Sequence, residues 1–123
     1  MELPRKDVSF LESRGFPYEL KQVGQELYLV LKDWKFPPAY IPEQADVLII
    51  ISAAYPLGPL DMFWTNPSIR LKSGAWPQAS EPHQVLSDGK QWQRWSRHIT
   101  WRPGTDNLQT FIKAITAEIN KGI

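Results

Sequence analysis

Asp46-Val47-Leu48-Ile49-Ile50-Ile51-Ser52 is the stretch on which the fold turns. Its five central residues are aliphatic and mostly β-branched. They are too few for a helix and apolar at both parities, which predicts a central strand covered on both faces. The chain then breaks at Tyr55-Pro56-Leu57-Gly58-Pro59. Upstream, Glu26–Lys32 alternates, with Leu27, Leu29 and Leu31 on one face and Tyr28, Val30 and Lys32 on the other. Gly24-Gln25 supplies a two-residue hairpin turn with glycine first. The strand before it, Phe16–Val23, belongs at an edge because Pro17 cannot donate to a ladder. Leu60–Trp64 predicts a fourth strand ending near Asn66-Pro67, while Pro37, Pro38 and Pro42 make Asp33–Gln44 an irregular connection.

Helices are expected at both ends. Leu3–Arg14 carries Pro4 in its first turn, a weak stripe of Leu3, Val8, Phe10 and Leu11, and Gly15 as a stop. In Asp106–Asn120, Leu108, Phe111, Ile112, Ile115 and Ile119 fall on one helical face. Asp106 with Gln109 has capping-box spacing, and Gly122 sits at a C-terminal cap position. From Pro67 to Pro103 no period is sustained, and Gly, Pro, Ser and Trp dominate. An ordered loop of that length in a small domain points to function. The expected architecture is α+β: an N-terminal helix, a four-stranded antiparallel meander, a long loop and a C-terminal helix.

Composition narrows the chemistry. At 123 residues the chain suits a single domain spanning 1–123. Lys plus Arg is 14 against 13 Asp plus Glu, so bulk charge favours neither nucleic acid nor an anionic membrane. The longest apolar run, Val47–Ile51, is far short of the ~20 residues that span a bilayer. The N-terminus has no signal-peptide pattern, so a cytoplasmic location is expected. There is no cysteine and there are two histidines, which excludes disulfides and thiolate chemistry and disfavours zinc. His83 has no metal-ligand partner at a useful spacing. No cofactor is called for. Trp76, Trp92, Trp95 and Trp101 read as a satellite core pinning the long loop rather than as a stacking platform.

The order of motifs resembles the E2 (ubiquitin-conjugating, UBC) superfamily, and more narrowly its short bacterial E2-like members. The pieces are the strand Val47–Ile51, the Tyr55-Pro56-Leu57-Gly58-Pro59 break, Met62-Phe63-Trp64, the segment Gly89–His98, and Trp101-Arg102-Pro103 ahead of the last helix. The resemblance implies a UBC-like fold with an active-site loop at Gly89–His98. It also implies a ubiquitin-like protein and an E1-like activating enzyme as partners, the latter docking on the first helix with its Arg5, Lys6, Glu12 and Arg14, with ATP consumed by that enzyme.

Family members carry a cysteine about eight residues before the Trp of Trp-x-Pro; here that stretch reads Lys90-Gln91-Trp92-Gln93-Arg94. The His-Pro-Asn signature is also missing. Either the protein forms no adduct, or a native cysteine has been replaced, or another nucleophile serves. The candidate is Ser96 in Trp95-Ser96-Arg97-His98. In an extended segment residues two apart point the same way, which would put His98 beside Ser96 as base. Arg97 or Asn66 would stabilise the oxyanion. The product would be an oxyester. The alternative is a scaffold of the same fold that holds a ubiquitin-like protein without chemistry.

Overall fold

The computed structural model describes residues 2–121. The elements are α1 (Arg5–Ser13), β1 (Tyr18–Val23), β2 (Glu26–Lys35), β3 (Tyr40–Ile41), β4 (Gln44–Ile51), β5 (Phe63–Asn66), β6 (Arg70–Leu71), β7 (Ser80–Val85), β8 (Gln91–Trp95) and α2 (Leu108–Lys121). Six strands form one antiparallel sheet in the order β1-β2-β4-β5-β8-β7, and β3 pairs separately with β6. Among the described residues no helix is long and apolar enough to cross a membrane.

β4 lies inside the sheet, as its sequence requires. Val47, Ile49 and Ile51 join Leu27, Leu29 and Leu31 of β2 in the main core under the two helices. Leu48 points the other way, into a smaller cluster with Tyr28, Trp64 and Trp92. α1 contributes Leu11, while α2 contributes Leu108, Phe111, Ile112, Ile115 and Ile119. The four-strand meander is β1-β2-β4-β5; Gly24, at φ +61°, makes the first turn.

Three regions depart from the expectation. β2 continues past Lys32 through a bulge between Leu31 and Trp34. Asp33 sits at φ +55°, its N–H donating to Asp46 Oδ1 at 3.1 Å, while Lys32 Nζ donates to Asp46 Oδ2 at 2.9 Å. The extra residue shifts the alternation, so Trp34 packs on the helical side against Phe16, with the rings 5.5 Å apart.

The second departure is the long loop, which holds the β7–β8 hairpin. Asp88 and Gly89 lie in its connection, Gly89 at φ +79°. β8 is illegible as a strand because the inward position between Gln91 and Trp95 is a glutamine. Gln93 is fully buried: its Oε1 accepts from Ile69 N and Thr65 Oγ1 at 2.6 and 2.8 Å, and its Nε2 donates to Ile69 O at 2.9 Å. Saturated in this way, an amide side chain occupies a core position with no unpaired polar atom. Nor do the four tryptophans form one satellite core. Trp95 is in the main core, Trp92 is on the opposite sheet face, Trp76 lies under the Arg70 guanidinium at 4.0 Å, and Trp101 is partly buried beside Tyr55.

The third departure is the start of α2. Asn107 Oδ1 accepts from Thr110 N at 3.1 Å, which makes Asn107 the cap. Asp106 instead closes the turn before it, its Oδ2 accepting from Arg102 N at 2.8 Å. That bond holds the Asp106 carboxyl below its ordinary range. The expected cap at Gly122 lies outside the described residues.

Candidate functional site

Tyr55 fixes the frame of the site. It is buried, and its Oη donates to Asp7 Oδ2 of α1 at 2.7 Å while accepting from Leu108 N, the first residue of α2, at 2.8 Å. One phenol thus ties the loop after β4 to both helices. Burial raises the Asp7 pKa, and the bond from Tyr55 opposes that rise. Burial, together with the adjoining carboxylate, pushes the Tyr55 phenol up. Trp101 completes the junction: its Nε1 donates to Pro56 O at 3.0 Å, and its ring lies 6.2 Å from that of Tyr55. The Tyr-Pro and Trp-x-Pro segments, 45 residues apart, are therefore in contact.

Between β8 and this junction runs Ser96-Arg97-His98-Ile99-Thr100, held at its start by the ladder. Ser96 N donates to Ala79 O at 2.9 Å, and Met62 N donates to Arg97 O at 3.1 Å. Ser96 is half-buried beside a shallow depression of about 280 Å³ that Gln78, Ala79, Arg97, Glu118 and Lys121 also border. Among the described residues its hydroxyl takes no part in a hydrogen bond.

His98 is exposed and hydrogen-bonded at Nδ1 to Asp61 Oδ1, 3.2 Å away. Arg97 has a side chain 12% exposed. Its guanidinium lies 3.5 Å from Glu118 Oε2, donates to Ser96 O at 3.1 Å and approaches the Trp95 ring at 5.6 Å. Asn66 is remote: its Nδ2 donates to Gln91 O at 2.9 Å. That end of β8 lies about 16 Å from Ser96 at ~3.3 Å per residue.

Asp61 escapes the sequence reading. It lies 37 positions from His98, and nothing local signals a pairing created by β5 lying beside β8. The position eight residues before Trp101 is Gln93, inside the protein. Among the described residues no group of acidic and histidine side chains is placed to hold a metal.

The family model of prokaryotic E2 family E matches residues 3–122. The chain belongs to that family. It is a prokaryotic E2-like protein, and its α+β arrangement of helix, antiparallel sheet and helix is the UBC-like fold. Membership places it in the setting of ubiquitin-like conjugation. No curated protein and no solved structure gives a match. In this E2-like chain the contact between Tyr55-Pro56 and Trp101 is the structural counterpart of the two segments that carry the resemblance.

Proposed function

We propose that this E2-like protein docks and positions a ubiquitin-like protein delivered with an E1-like enzyme, without forming a thioester itself. The observation behind this reading is Gln93. Gln93, eight residues before Trp101 and inside the stretch Lys90–Arg94 where the resemblance calls for a thiol, is a fully buried amide that bonds both backbone groups of Ile69. A carbonyl on a visiting C-terminus has no route to that position in the folded sheet.

A second reading rests on the Asp61–His98 pair. A carboxylate on Nδ1 orients the imidazole and leaves Nε2 as its free nitrogen. Ser96 Oγ would attack the carbonyl of the ubiquitin-like protein carried as a thioester on the E1-like enzyme. A C–O bond forms and the C–S bond breaks; His98 Nε2 takes the serine proton and returns it to the departing thiolate. An oxyester on Ser96 results, and an acceptor amine would later displace it.

One experiment separates the two. The chain is mixed with its cognate E1-like enzyme, ubiquitin-like protein and ATP, and the products are resolved under denaturing conditions. Positioning predicts a noncovalent complex and no adduct. An adduct that resists thiols, yields to hydroxylamine and is absent from Ser96→Ala overturns it in favour of the oxyester.

A further inference from the structure

A second depression lies away from this site. A groove of about 580 Å³ opens between α1 and α2. Phe16, Trp34 and Ile112 line it, Phe10 flanks it with its ring 6.0 Å from that of Phe16, and Ala117 leaves the α2 side open. Gln109, Lys113, Thr116 and Asn120 recur along α2 at spacings of four, three and four, so they form one stripe. At 100° per residue that stripe and Glu118, which borders the depression beside Ser96, fall on opposite flanks of the helix's buried face. The groove is thus a separate surface.

Its chemistry is one-sided. Three half-buried aromatic rings offer apolar area above the buried Ile112, and the residues bordering the groove include Arg14 and Lys113 but no acidic side chain. Both cations are exposed, and neither takes part in an ion pair among the described residues. Arg14 leans over the Phe10 ring at 5.4 Å. An apolar side chain seated on Phe16 and Trp34 gains burial, and carboxylates beside it meet the two cations. A basic segment is repelled at the same rim.

We propose that the α1–α2 groove binds an acidic amphipathic segment of a partner protein, with an apolar side chain on Phe16 and Trp34 and carboxylates against Arg14 and Lys113. The occupant is distinct from whatever meets Ser96, and the site does not depend on the positioning role above.

The test is a titration of the ¹⁵N-labelled chain with two synthetic peptides. Each carries Leu and Phe at helical spacing, one flanked by Glu and the other by Lys. The acidic peptide is expected to shift the Trp34 indole N–H and the amides of 113–117, with affinity falling as salt rises. Arg14→Glu combined with Lys113→Glu should weaken it about tenfold or more and admit the basic peptide. Ala117→Tyr, which sets a ring into the groove, should abolish binding. All these positions are exposed, so thermal unfolding of the variants should match the parent. Equal response to both peptides, shifts elsewhere, or no response would overturn the proposal. The same resonances moving on dilution without peptide would assign the groove to a second copy of this chain and overturn it as well.

Discussion

Gln93 satisfies both backbone groups of Ile69, accepting from its N–H at 2.6 Å and donating to its carbonyl at 2.9 Å. The amide behaves as an added rung of the sheet, joining β8 to the segment after β5. Trp95 Nε1 extends the network to Thr65 Oγ1 at 3.0 Å. A Gln93→Cys variant should therefore install the missing thiol and gain nothing. It orphans two buried backbone groups, a loss of about 2–5 kcal/mol. Its thiol should react with a small disulfide reagent only in denaturant, and no thioester should form with an activated ubiquitin-like protein. A thiol that reacts rapidly in the native state would show that the position is open after all.

Tyr55→Phe tests the junction of the two helices. The ring stays; the hydroxyl that Asp7 and Leu108 share is gone. A buried carboxylate loses its neutral donor and the first amide of α2 loses an acceptor, which costs about 1–3 kcal/mol. The urea midpoint should fall with little change in slope, since no more surface is exposed on unfolding than before. An unchanged midpoint would mean that the loop and helices are held by packing alone.

These two cases also show what a sequence can and cannot display. The meander was legible because Val47–Ile51 is apolar at both parities and Leu27, Leu29 and Leu31 alternate; each property is local. β8 was not, since the inward turn of Gln93 depends on the backbone of Ile69, 24 positions away. Trp34 fell in the stretch read as an irregular connection, because the bulge that carries β2 on through it is held by Asp46, from the neighbouring strand. At the site, Ser96, Arg97 and His98 stood out as neighbours. Their actual partners, Glu118 and Asp61, come from α2 and from the chain entering β5, and only the fold reveals them.

Two carboxylates should give opposite signatures against pH. Burial raises the Asp7 pKa, so the folded state keeps a proton that the unfolded chain releases near ~3.9. Stability from this group is greatest at acid pH and falls as pH rises through the raised value. The Asp106 carboxyl is depressed by the Arg102 N–H, so its contribution is present above ~3.9 and is lost as pH falls through the lowered value. Asp7→Asn should flatten the decline on the rising side, and Asp106→Asn the decline on the acid side. Urea midpoints measured from pH 3 to pH 8 would read both; a swap of the two effects would reverse the assignments.

Ser96, His98 and Asp61 divide positioning from chemistry when variants of each are mixed with the ubiquitin-like protein, the E1-like enzyme and ATP and scored for binding and for ester. His98 is 72% and Asp61 44% exposed, so their pairing contributes little to the fold. Ser96→Ala, His98→Gln and Asp61→Asn should each leave stability within about 0.5 kcal/mol of the parent. If the chain only positions its partner, all three should bind the ubiquitin-like protein as the parent does and form no ester. If Ser96 is acylated, Ser96→Ala should abolish the ester. His98→Gln should slow its formation by about a hundredfold or more, the scale of a lost general base. Asp61→Asn should fall between parent and His98→Gln, because it disturbs the orientation of the imidazole and leaves the base in place. An ester that persists in Ser96→Ala would exclude this serine and leave Asp61 and His98 as a surface pair.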